Sequence, residues 1–296
     1  MATFETSLKS RLIYVFAIPD EWHKDCLKVG ETTLEEDDGN FPLPNSEVLN
    51  KAACDRIDQY TKTAGIAYNL LHTEMTVFFK GGTISSFNDK QVHSVLERSG
   101  VKKKTFDTVK GANEWFCCDL ETVKKAIHAV KNGRNSLNAS DISYTQTPII
   151  FRPEQQAAID KTKKQFKKGA QMLWNAKMRF GKTLCALRVA RDLEMRRTII
   201  LTHRPVVDES WFEDFGKIFY DRTDYHYGSR TKGEDFTSLE RLAKKGDRYV
   251  YFASMQDMRG AQLVGGKFDK NNEVFSTDWD FLIVDEAHEG TRTELG

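Results

Sequence analysis

Paired cysteines are the first thing this 296-residue sequence lacks. Its five cysteines, Cys26, Cys54, Cys117, Cys118 and Cys185, are odd in number and show no CxxC spacing. That argues against a zinc site or a disulfide framework and fits a reducing cytoplasm. Long apolar runs are lacking too: none approaches the roughly 18 residues needed to span a bilayer. The stretch from Met1 to Arg11 has no apolar core of the signal-peptide kind. A soluble cytoplasmic protein with no membrane partner is expected. A charge excess is also absent, since 44 Lys+Arg stand against 43 Asp+Glu for a net charge of +1. No global basic field announces nucleic acid, so any such site must be local.

What is present suffices for two cores, because the length and an apolar share of 40% allow two ordinary domains. Residues 12–131 alternate short β-like runs with helical patterns, and the polar stretch 132–140 interrupts them. The expected division is a first domain over 1–131, a linker over 132–148 and a second domain over 149–296. In the second domain, residues 153–168 read as helix, 171–174 as a short extended run and 183–193 as an amphipathic helix. Residues 198–202, 249–254 and 281–284 are compact apolar or β-branched runs. Buried strands alternating with helices predict a parallel α/β sheet.

Ala176-Lys177-Met178-Arg179-Phe180-Gly181-Lys182-Thr183 follows a short apolar run and opens a helical one. It matches the phosphate-loop pattern GxxxxGK[ST] except that Ala176 replaces the first glycine. In such a loop the backbone N–H groups at a helix N-terminus face phosphates, the lysine reaches the β/γ oxygens and the threonine ligates Mg²⁺. Gly181, Lys182, Thr183 and Arg179 are therefore the expected ATP contacts. Phe281-Leu282-Ile283-Val284 ends in Asp285-Glu286-Ala287-His288, so two acids leave the C-terminal end of a buried strand, where open α/β sheets bind ligands. Asp285 is expected to hold Mg²⁺ together with Thr183, and Glu286 to orient or deprotonate the attacking water.

These residues resemble the first RecA-like lobe of a superfamily 2 helicase or translocase with a DEAH box, over about residues 151–296. The resemblance implies that Gln155, in Phe151-Arg152-Pro153-Glu154-Gln155, reads the adenine edge beside Arg152; Pro153 at the first helical position is the plainer reading. It implies nucleic-acid backbone contacts by Thr202, His203 and Arg204 and by Ser254 and Gln256, in sequence-blind fashion. It also implies a second lobe supplying arginine fingers, which makes the chain read as part of a longer protein that binds nucleotide better than it turns it over.

In the first domain, Leu12-Ile13-Tyr14-Val15-Phe16 and Leu27-Lys28-Val29-Gly30-Glu31-Thr32-Thr33 form an antiparallel hairpin pattern. The pair resembles the GIY-YIG endonuclease core, a small α/β domain around an antiparallel sheet, over about residues 12–127. The resemblance implies phosphodiester hydrolysis, with Tyr14 relaying a proton, Arg56 gripping the phosphate and one carboxylate holding Mg²⁺. Lys28 stands in the second tyrosine's place and serves as a base only if burial lowers its pKa. Asp89 is the expected metal ligand, about a turn before His93, with Glu97 and Glu114 as alternatives. Plainer readings stand beside these: Tyr14 as a core tyrosine, Arg56 as a solvated arginine, His93 as a packed histidine and Trp115-Phe116 as core.

The pairing implies an ATP-dependent enzyme acting on double-stranded DNA, as in restriction or phage-defence systems, with further subunits of such a complex as partners. One alternative makes the first domain an inert DNA-recognition module. Another is an unrelated ATP-binding enzyme such as a small-molecule kinase.

Overall fold

The computed structural model describes residues 10–34, 41–106, 114–139, 141, 149–177, 179–203, 205–259, 261, 265, 267 and 271–285. It divides into two compact units, residues 1–135 and 136–296.

The first unit runs β1 (Arg11–Ala17), β2 (Leu27–Thr33), α1 (Glu47–Thr61), β3 (Asn69–Met75), β4 (Val77–Lys80), β5 (Thr83–Ser86), α2 (Asp89–Arg98), β6 (Trp115–Phe116) and α3 (Leu120–Lys131). Four strands form a sheet in the order β3-β1-β2-β6, antiparallel at every pairing. β1 has five consecutive buried residues, Leu12 to Phe16, the pattern of a strand covered on both faces. Leu12, Tyr14 and Phe16 point one way and pack with Leu49, Ala53 and Ile57 of α1; Ile13 and Val15 take the opposite face by strand alternation. Asn88 caps α2 in a reciprocal box with Gln91. The β4–β5 hairpin turns through Gly81 and Gly82, both at positive φ, as a two-residue turn matched to strand twist requires.

The second unit runs α4 (Pro153–Gln165), α5 (Lys182–Asp192), β7 (Arg197–Thr202), a 3-10 turn (Pro205–Val207), α6 (Asp208–Phe219), β8 (Tyr225–Gly228), α7 (Phe236–Ala243), β9 (Arg248–Ser254), α8 (Met255–Met258), α9 (Asn272–Ser276) and β10 (Phe281–Val284). Its sheet has the order β10-β7-β9-β8 and is parallel throughout. Alternate residues of the central strands feed two cores. Ile200, Val250 and Phe252 meet Leu187 of α5 and Trp211, Phe215 and Phe219 of α6. Ile199, Tyr249 and Ala253 meet Phe236 and Leu239 of α7. Burial on both faces is why β7 and β9 read as unbroken apolar runs rather than alternating ones.

The chain is thus mixed α/β, an antiparallel sheet followed by a parallel one, and the second unit is consistent with a RecA-like lobe. One expected element is not found: residues 171–174 join no strand of the sheet among the described residues. Leu173 is exposed, and the Trp174 indole donates to Thr162 Oγ1 on α4 at 2.8 Å. Apolar composition without a ladder partner leaves that run as extended coil. The polar stretch after Lys131 is not uniformly linker. Leu137 is buried, and Asn138 meets His226 Nδ1 of β8 at 3.0 Å. No helix among the described residues is long and apolar enough to cross a membrane.

Candidate functional site

In the first unit, the β1–β2 register sets Tyr14 opposite Gly30. A Cβ on Gly30 would lie 2.7 Å from the Tyr14 hydroxyl, so the glycine makes room for the ring. The Tyr14 hydroxyl lies 3.5 Å from that of Tyr60 on α1. One turn earlier on α1, Arg56 bonds Gln59 Oε1 at 2.8 Å and acts on the Tyr14 hydroxyl. Lys28 stands over the Tyr60 ring, 4.7 Å from its centroid, and pairs with Glu114 at 3.4 Å. Tyr14, Tyr60, Arg56, Lys28 and Glu114 therefore converge from β1, α1, β2 and the residue before β6.

Electrostatics fix the protonation of this group. Burial raises the Tyr14 pKa above the ordinary tyrosine value of 10.0, while the Tyr60 hydroxyl and the Arg56 guanidinium pull against it. Tyr60 is raised as well, by burial and then by the Tyr14 hydroxyl. Both phenols are protonated at neutral pH.

Tyr60 was not singled out from sequence, although its spacing of four from Arg56 places both on one helix face. Glu114, left open beside Asp89 and Glu97, is the carboxylate in contact with the cluster. Asp89 instead begins α2, its backbone N–H donating to Glu31 Oε2 at 3.3 Å, and Glu97 pairs with Lys103. His93 is a packed histidine: it is buried, bonds the Val29 carbonyl at 2.8 Å and lies tilted against the Phe116 ring, 5.1 Å between centroids. Trp115 and Phe116 are core. No group of three or more metal-ligating side chains occurs among the described residues. Glu114 is the carboxylate of this group that could hold Mg²⁺, an ion commonly bound by one or two carboxylates together with waters and substrate phosphate.

In the second unit, α5 begins at Lys182 behind Gly181, whose φ of 86° is left-handed. Arg179 also has a positive φ, 61°, an uncommon state for a residue with a Cβ. Gln155 is buried. Its Oε1 accepts from the Arg152 N–H at 2.8 Å and its Nε2 donates to the Phe180 carbonyl at 2.6 Å. Both ends of that amide bond the protein itself, one at the start of α4 and one in the segment before α5. Arg152 reaches the same Phe180 carbonyl at 2.9 Å. Gly181, without a Cβ, makes room for the Gln155 amide, since a Cβ there would lie 2.6 Å from Nε2. Lys182 and Thr183 thus stand at the head of α5, at a helix N-terminus.

Parallel register aligns the strand ends. Thr202 of β7 is level with Ser254 of β9, and the Asp285 N–H extends the β10 ladder by donating to Leu201 O at 2.9 Å. Asp285, Thr202 and Ser254 thus share the C-terminal edge of one sheet. Thr202 and Ser254 are buried. The Ser254 hydroxyl caps α8, donating to Asp257 Oδ2 at 2.7 Å and accepting from the Asp257 N–H at 3.1 Å. Gln256 is exposed, and the buried His203 Nδ1 has no hydrogen-bond partner among the described residues. Arg204, Glu286, Ala287 and His288 lie outside the described residues.

Two comparisons with known proteins bear on the second half of the chain. A protein of Mycoplasma pneumoniae, described as the C-terminus of a putative type II restriction enzyme and methyltransferase, is 30% identical over 155 residues, which is 49% of this chain and 21% of that protein. The aligned part thus spans about a fifth of that relative's length. The phosphate loop, the strand ends and the Asp285 edge all fall within residues 148–294, which match the family described as "Type III restriction enzyme, res subunit".

Proposed function

We propose that the chain is a piece of a restriction-type, ATP-dependent DNA-processing enzyme, with a metal-dependent phosphodiester nuclease in the first unit and a helicase-like ATP- and DNA-binding lobe in the second. The observation that carries the nuclease reading is the convergence of Tyr14, Tyr60, Arg56 and Glu114 on one side of the first unit's sheet. The ATP reading rests on the loop before α5 and on the match of residues 148–294.

In the nuclease reaction water attacks phosphorus, the P–O bond to the leaving oxygen breaks and that oxygen takes up a proton from solvent. Tyr14, protonated before the step, accepts the water proton as it passes its own to Tyr60, which is 37% exposed and opens the relay to solvent. Arg56 neutralises charge building on the phosphate oxygens. Lys28 orients Glu114 and the Tyr60 ring. Mg²⁺ held by Glu114 would supply positive charge at the phosphate. In the second unit Gly181, Lys182 and Thr183 would take the ATP phosphates, with Thr183 and Asp285 holding Mg²⁺ and Glu286 orienting water. Thr202, His203, Arg204 and Gln256 would meet the DNA backbone, and Ser254 would act by fixing the α8 turn that carries Gln256.

Nicking of supercoiled plasmid in Mg²⁺ or Mn²⁺ tests the nuclease. Arg56→Ala is expected to cost on the order of 10² to 10³ in rate, and Glu114→Gln to abolish metal-dependent cleavage while Asp89→Asn retains it. Loss with Asp89→Asn and retention with Glu114→Gln would overturn the assignment of the carboxylate.

A further inference from the structure

Two thiols far apart in sequence meet at the end of the first unit's sheet. β2 and β6 are antiparallel, with Leu27 opposite Phe116 and Lys28 opposite Trp115. One step further that register sets Cys26 opposite Cys117, and their Sγ atoms lie 2.7 Å apart. Val29 N–H donates to Glu114 O at 3.2 Å, so the hydrogen-bonded pairs are Val29 with Glu114 and Leu27 with Phe116. Cys26 and Cys117 thus form a non-hydrogen-bonded pair, for which antiparallel geometry brings Cα atoms to about 4.5 Å. That separation lies within the range a disulfide bridges without backbone movement. We propose that Cys26 and Cys117 are a reversible two-electron modification site, forming a cross-strand disulfide by exchange with low-molecular-weight disulfides.

The two thiols have different surroundings, and this orders the reaction. Cys26 is buried in the core with Tyr14, Phe16 and Trp115, and burial, with the Cys117 thiol next to it, pushes its pKa up to about 12. Cys117 is exposed. Its thiolate attacks a sulfur of the small disulfide, whose S–S bond breaks and releases one small thiolate. Cys26 then loses its proton to solvent and attacks the Cys117 sulfur, the mixed S–S bond breaks and the second small thiolate leaves. Each departing thiolate takes up a proton, so one small disulfide is reduced to two thiols as the protein pair is oxidised. Lys104 faces Cys26 and favours the thiolate in the second step. Cys118, beside Cys117, has its own thiol held up to about 12 by burial and by Asp119, which keeps it from competing as the attacking thiolate. The inference does not depend on the nuclease reading.

The test treats the 296-residue chain with oxidised glutathione, alkylates the free thiols and maps peptides without reduction. Two of the five thiols are expected to disappear into one peptide pair joining Cys26 to Cys117, and dithiothreitol should restore both. Cys26→Ser is expected to stop at a glutathione adduct on Cys117, and Cys117→Ser to leave Cys26 unmodified. A stable glutathione adduct on Cys117 of the unsubstituted chain, a link through Cys54, Cys118 or Cys185, or no loss of thiol would overturn the proposal. The unsubstituted chain alone decides it if either variant fails to fold.

Discussion

At each candidate site a glycine leaves room for a neighbouring side chain. Gly30 has no Cβ because Tyr14 occupies that volume. Gly30→Ala is therefore expected to displace the ring and destabilise the first unit by about 1–3 kcal/mol, read as a lower thermal midpoint and weaker nicking together. Gly181 combines a φ of 86° with a Cβ position 2.6 Å from the Gln155 amide. Gly181→Ala should weaken ATP binding, measured by calorimetry, with little effect on cleavage by the first unit. Unchanged nucleotide affinity in that variant would show that the loop tolerates a side chain and is not the phosphate cradle.

At the scale of elements, sequence and structure part where distant segments meet. The hairpin of β1 and β2 and the strands β7, β9 and β10 were legible because long apolar or alternating runs report burial directly. So was the start of α5, because glycine before a helical run has a conformational reason. Tyr60 was less visible, since its partner Tyr14 comes from β1 by packing of α1 on the sheet rather than from nearby in sequence. The Cys26–Cys117 contact was hidden as well: register, not spacing, brings those thiols together. Asp208, at the start of α6, is buried and accepts from Tyr227 at 2.7 Å, Ser229 at 2.6 Å and Thr231 at 2.7 Å. It pins the loop after β8 to the start of α6. Asp208→Ala removes the acceptor of the buried Tyr227 and Ser229 hydroxyls and is expected to cost about 2–5 kcal/mol in the second unit, checked by denaturant unfolding. Asp224, before β8, is held to a pKa of about 2 by hydrogen bonds from Arg222, with Arg248 adding to the effect. Its folded value lies below the unfolded one of roughly 3.9, so its contribution is complete above that value and is lost as pH falls toward 2. The stability gap between the chain and Asp224→Asn should therefore shrink between about pH 4 and pH 2.

At the scale of the whole molecule, the two candidate chemistries sit on separate units with separate sheets and cores. Residues 148–294 match a restriction-enzyme family, whereas the first unit's reading rests on its own geometry. Substitutions should accordingly separate: Lys182→Ala removes nucleotide binding, and Tyr14→Phe removes cleavage. The most direct measurement is plasmid nicking by the 296-residue chain in Mg²⁺, with these two variants beside it and ATP binding followed in parallel. Metal-dependent nicking is expected to fall by about 10² to 10⁴ in Tyr14→Phe and to survive in Lys182→Ala, with ATP binding showing the reverse. DNA binding without cleavage in Mg²⁺ or Mn²⁺, or cleavage indifferent to Tyr14→Phe, would contradict it.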